Sequence, residues 1–269
     1  MKNYNRTHTH GFTLIELTIV MLILVALAGI MVPMFGGFTD RAHNSAAAAN
    51  VSEIAKQIEL YNAKTQQGYP NQFDNLASAG VVWTQGVGGN TVGISPAAGN
   101  LMSVHTLTDK EATSIINCGI NKLTDASKNT DNATFHVFNL ATDLLTVSGP
   151  TGGTATTIAI IPAGPTGLQS EGVGLQNADT TKYFYMIVGL GQSCTAVGNV
   201  MVAAPVHYDT IDPAVFYQRY CAIFQVPLDA NPNAGAPAKI VGVIGVHDAG
   251  FAGLDEHIKD YNQDVNTGN

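Results

Sequence analysis

"GFTLIELTIVMLILVALAGIMVPMF", residues Gly11–Phe35, decides how the rest of the chain is read. From Phe12 to Phe38, 27 residues, the only charged side chain is Glu16. As a helix this run is about 40 Å long, against a hydrocarbon layer of roughly 30 Å. A carboxylate at the centre of a bilayer helix costs about 2.5–3.5 kcal/mol. Glu16 therefore calls for a partner that offsets its charge.

The residues before the run, MKNYNRTHTHG, carry Lys2 and Arg6 and no acid. A basic leader stays on the cytoplasmic side, which puts the remainder of the chain outside. Two processing readings follow. Ala26-Leu27-Ala28 has the A-x-A form of an ordinary signal-peptide site. Cleavage there releases a binding or enzymatic domain beginning at Gly29. Against it, the apolar run continues for ten residues past Ala28, Glu16 fits an h-region poorly, and the polar-to-apolar boundary falls far upstream, at Gly11-Phe12.

Gly11-Phe12-Thr13-Leu14-Ile15-Glu16 resembles the cleavage motif of type IV prepilins and of the pseudopilins of type II secretion: Gly, Phe, then Glu at the fifth mature position. Pro33 matches a proline frequent in these N-terminal helices, and "IELYNAKTQQGYP" (58–70) is similar to the corresponding stretch of major pseudopilins. The resemblance covers roughly residues 1–70. It implies cleavage after Gly11 by a prepilin peptidase and N-methylation of Phe12. It also implies a partner for Glu16: the α-amino group of Phe12 on a neighbouring subunit, with the same chain's Phe12 amine as the alternative. Pro33 removes a helical hydrogen bond and clashes with the carbonyl of Gly29. Together with Gly36-Gly37 it marks either a tolerated kink or a segment that stretches on assembly. The implied partners are copies of the chain or sister pilin-like subunits, the peptidase and an inner-membrane assembly platform. The implied location is a single-pass inner-membrane protein with a periplasmic or extracellular domain, assembled into a filament. Pilus and secretion pseudopilus, and major and minor subunit, are not separated by these residues.

The chain divides into a leader (1–11), a membrane and assembly half of the helix (12–38), an amphipathic outer half (39–67) and a globular domain (68–269). In the outer half Ala47, Val51, Ile54, Ile58 and Tyr61 form one apolar stripe at helical spacing. Gly68 and Pro70 punctuate the end, near Gln67. Residues 69–134 read as loop with short helices, one over 109–117, capped by Thr108 with Glu111 three residues on. Strand-like runs follow at 135–141, 144–148, 155–161, 182–189, 199–208, 218–228 and 239–247, then a short helix over 255–261. No crossover-length helix separates most of them, which predicts an antiparallel sheet. The expected class is α+β, a long helix packed by its outer half on that sheet.

The chain's net charge of −8 and the lack of a Lys/Arg cluster beyond the N-terminus exclude nucleic acid as an expected partner. There is no GxSxG, HExxH or P-loop, so no enzyme is expected. Gly189-Leu190-Gly191 and Gly86-Val87-Gly88 are only half of a nucleotide-binding fingerprint. His207, Asp209 and Asp212, and again His247, Asp248, Asp255 and His257, are metal-ligating types near one another in sequence. Surface polar loops account for them equally well. Calcium is the ion that the pseudopilin resemblance brings up, in the loop of Asp229 and Asn231, but the acidic pattern does not carry over and no cofactor is expected. An extracytoplasmic domain with Cys118, Cys194 and Cys221 predicts one disulfide and one free thiol. Cys194–Cys221 is the candidate pair, with the other pairings and three buried thiols left open.

Overall fold

The structure is a computed structural model that describes residues 13–66, 68–78, 80–207, 212–247, 250–254 and 256–260, the side chains of 30, 32–41, 43 and 44 excepted. Its first element, α1, runs unbroken from Leu14 to Thr65. The helix has two characters. From Leu14 to Gly29 every side chain is exposed, whereas Val51, Ile54, Ile58 and Tyr61 are buried in the domain core. The predicted stripe is therefore the face that packs, mainly on the strand at Lys239–Val246. The helix ends with Gln66 in the left-handed conformation (φ 53°), its N–H donating to the Asn62 carbonyl. Gly68, expected to terminate the helix, has a different task. At φ 97° it lies against the Cys118 carbonyl, where a β-carbon would overlap backbone.

The strands are β1 (Phe73–Asn75), β2 (Ala77–Ser78), β3 (Val81–Val82), β4 (Ser103–Thr106), β5 (Lys122–Asp125), β6 (Leu144–Thr146), β7 (Thr157–Ile160), β8 (Tyr183–Gly189), β9 (Tyr220–Pro227), β10 (Lys239–Val246) and β11 (Phe251–Ala252). Two helices lie among them, α2 (Pro96–Gly99) and α3 (Asp109–Asn117). Nine strands form one sheet in the order β11-β10-β9-β8-β1-β5-β6, with β7 bridging β8 and β4, while β2 and β3 form a separate pair. The α+β class stands, and the sheet is antiparallel except for β1 and β5, which run parallel. The predicted helix over 109–117 is α3, with the Thr108–Glu111 capping box in place.

Two predicted strands are absent among the described residues. Residues 135–141 are irregular because short polar side chains take up the backbone donors. Asn132 Oδ1 accepts from the N–H groups of Thr134 and Phe135, and Asp143 Oδ2 accepts from Asn139 N. Such local bonds compete with a ladder. Within 199–207 only single bridges form, at Met201 and Val206. Conversely, β1, β4 and β5 lie in the region expected to be loop. They are three or four residues long and partly polar, "FDN", "SVHT" and "KLTD".

The sheet buries both faces. On the α1 side Ile54, Ile58, Phe73, Leu123, Met186, Tyr220, Ala222 and Phe224 pack together. On the other side Trp83, Ile94, Tyr185, Ile187, Cys221 and Ile223 do so. Between the strands lies a buried carboxylate, Asp74 on β1, which accepts hydrogen bonds from Tyr217 Oη (2.7 Å) and Thr124 Oγ1 (2.8 Å). Burial raises its pKa, and these hydrogen bonds and the nearby Arg219 oppose the rise. Among the described residues, no helix is long and apolar enough to cross a membrane.

Candidate functional site

The feature that the sequence singled out begins at Thr13, the N-cap of α1. Its backbone N–H and its hydroxyl donate to Glu16 Oε2 (2.8 and 2.9 Å), and its hydroxyl accepts from Glu16 N (3.3 Å). Thr13-x-x-Glu16 is thus a capping box, and it satisfies two of the orphan groups that open a helix. The sequence reading assigned Glu16 to an amine and missed this local role, although the T-x-x-E spacing signals it. The two uses are compatible. Thr13 engages Oε2, and no hydrogen bond within the described residues occupies Oε1. Gly11 and Phe12, the processing and methylation candidates, lie outside the described residues, so the Phe12–Glu16 pairing is not seen. Pro33 falls within the continuous helix; its side chain lies outside the described set.

Beyond Glu16 the helix presents apolar side chains all round. Leu14, Ile15, Leu17, Ile19, Val20, Met21, Leu22 and Ile23 are each at least half exposed. A helix that is apolar on every face is suited to burial on every face, in lipid or among other helices. Nothing in the described part of the chain covers it.

The remaining predicted residues divide. Cys118, Cys194 and Cys221 are free and buried, which corrects the expected Cys194–Cys221 disulfide. The reason lies in strand alternation. Successive residues of β9 point to opposite faces, so Tyr220 and Ala222 join the core beneath α1 while Cys221 joins the opposite one. Cys194 belongs to the α1 side. Burial pushes the Cys118 and Cys194 thiols up to about 12 and Cys221 well above its ordinary value, so none is a reactive thiolate at neutral pH. In the loop considered for calcium, Asp229 pairs with Lys110 (3.2 Å). Asn231 there donates to the Lys182 carbonyl and accepts from Asn233 N. These are structural bonds.

Of the histidine and aspartate groups, Asp209, Asp248 and Asp255 lie outside the described residues, and Asp212 caps a turn by accepting from Ala214 N. His207, His247 and His257 come from both predicted groups and meet in space. The His207 ring lies 5.7 Å from that of His257 and 6.1 Å from that of His247, centre to centre. Among the described residues, no three His, Cys, Asp or Glu side chains stand ready around one point to hold a metal ion.

No curated protein and no solved structure matches the chain. Residues 6–32 do match a family model, the prokaryotic N-terminal methylation motif. The match takes in the end of the polar leader from Arg6, the Gly11-Phe12 junction, the Thr13–Glu16 capping box and the exposed apolar turns of α1. The chain therefore carries the prepilin-type signal of type IV pilins and pseudopilins.

Proposed function

We propose that the protein is a structural subunit of a type IV pilus-like or type II secretion pseudopilus filament, cut after Gly11, methylated on Phe12 and polymerised through its N-terminal helix. The supporting observation is that one helix joins two environments. Its outer half is built into the domain core, while its first half carries the methylation motif and leaves its apolar side chains uncovered. Before assembly, residues 12–38 span the inner membrane. After assembly, the same side chains pack against the helices of other subunits. The carboxylate of Glu16 offsets a neighbour's Phe12 amine and so selects the axial offset at which a subunit adds. An unpaired charge in a low-dielectric setting is costly enough to reject other offsets. The chain performs no catalysis in this reading. Its partners are itself or sister subunits, the prepilin peptidase and the assembly platform.

The deciding experiment is mass spectrometry of the mature N-terminus. N-methyl-Phe12 is the expected first residue. A chain beginning at Gly29 would instead establish the secreted-domain reading.

A further inference from the structure

Along one side of β10 the sheet stops short. β9 pairs with residues 239–245, with a bulge at Val241, whereas β11 covers only Gly245 and Val246 on the other side. Among the described residues no strand pairs with the outer side of 239–242, where Ile240, Val241 and Gly242 are half-buried. An unpaired edge of this kind is a template for another strand. The bulge and the charge of Lys239 are its protections, and neither covers it. Beside the edge, between β10 and the outer half of α1, runs a mostly apolar cleft of about 620 Å3 lined by Ala55, Leu60, Ala63 and Ile240.

The same chain holds a strand-like stretch without a ladder. In residues 135–139, Phe-His-Val-Phe-Asn, exposure alternates. Phe135 and Val137 are 56% and 80% exposed, while the rings of His136 and Phe138 are half-buried and touch each other. No hydrogen bond among the described residues engages the backbone of His136, Val137 or Phe138. The stretch is anchored away from its own chain's open edge. Thr134 Oγ1 donates to the Phe216 carbonyl, and Arg219 Nη2 donates to the Thr134 carbonyl. Arg219 lies about 17 Å along β9 from Phe224, the partner of Ile240. Val137, three residues from Thr134, reaches only about 10 Å.

We propose that residues 135–139 of one copy add as a strand to the open edge, residues 239–242, of a second copy, with Phe135 and Val137 entering the cleft beside α1. Backbone hydrogen bonds supply the pairing, and the cleft admits the alternate side chains. The two surfaces differ, so the contact is heterologous, and repeated from copy to copy it gives an open polymer and not a closed dimer. A pairing of so few residues holds when it is multiplied along an assembly, so the inference rests on the filament reading given above.

The test uses filaments of the full chain carrying both Val137→Cys and Val241→Cys, treated with a short bismaleimide. Cys118, Cys194 and Cys221 are buried, which leaves the introduced thiols to react. Crosslinking should give a ladder of covalent multimers, in which mass spectrometry joins the peptide of position 137 to that of position 241. Either substitution alone should give nothing larger than a dimer. Val137→Lys alters a side chain that is exposed in its own domain, so the melting temperature should stay at the wild-type value. Its filament yield should fall about tenfold or more, because the loss is repeated at every contact. This second variant decides the matter where the paired cysteines impair assembly. Filaments without the ladder, links confined to one copy or to a different protein, or a wild-type yield from Val137→Lys would each overturn the strand addition and leave the filament reading in place. A mature chain beginning at Gly29 would overturn both.

Discussion

Thr13 and Glu16 close the first turn of α1 by exchanging hydrogen bonds, and this local role is separable from the charge. A glutamine at position 16 still accepts from Thr13, because Glu and Gln serve equally at that place in a capping box. Glu16→Gln should therefore leave the helix start, membrane insertion and leader cleavage intact while filament yield collapses. Thr13→Ala does the reverse. It removes the cap, at about 1 kcal/mol, and keeps the carboxylate, so filaments should persist. Measuring filament against membrane-embedded subunit in the same cells checks both. Wild-type filament levels from Glu16→Gln would mean that the carboxylate acts only as a cap.

At the scale of elements, α3 is held by a buried carboxylate. Glu111 caps the helix with Thr108, accepts from Asp229 N and meets His105 Nε2 at 2.8 Å. Burial alone would raise its pKa, but the hydrogen bonds from His105, Thr108 and Asp229 outweigh it and hold the carboxyl below the ordinary 4.5. A carboxylate depressed in this way stabilises the fold above its ordinary pKa, and the contribution fades as pH falls through the depressed value. Glu111→Gln should cost about 1.5–3 kcal/mol at neutral pH and flatten the acid limb of a stability–pH curve below about pH 4.5. An unchanged acid limb would refute the assignment. This helix was legible in the sequence because its box, T-x-x-E, and its apolar spacing are local signals. The stripe of α1 was legible for the same reason. β1, β4 and β5 were not, since a strand such as Phe73-Asp74-Asn75 draws its stability from partners 50 and more residues away. The cysteines show the same limit. Which face Cys221 takes depends on the register of β9 against β8 and β10. With no bond between them, Cys194→Ala and Cys221→Ala should each cost about 1 kcal/mol and add in the double mutant. Reductant should leave the melting temperature unchanged. Equal single losses with no further loss in the double mutant would point to a disulfide.

For the whole molecule, the proposed function assigns stability and assembly to different halves of one helix. Ile58 is fully buried among Phe73, Met186 and Phe224, whereas Ile23 is half exposed and touches none of that core. Both are isoleucines on α1, so the contrast between them isolates position from chemistry. Ile58→Ala deletes core volume and should destabilise the domain by about 2–5 kcal/mol. Ile23→Ala deletes nothing that the domain uses. Its melting temperature in detergent should match wild type, and its deficit should appear as fewer filaments, because in the proposed filament the lost contacts are those with neighbouring subunits. The division is sharpest in a chain lacking residues 1–44, which keeps the entire buried stripe from Val51 to Tyr61. That chain should unfold in one cooperative transition at the temperature of the full-length domain and should form no filaments. For a domain of this size 1 kcal/mol corresponds to about 2–4 °C, so a drop of about 10 °C or more on truncation would mean that the apolar half also supports the fold, and the separation of roles along α1 would fail.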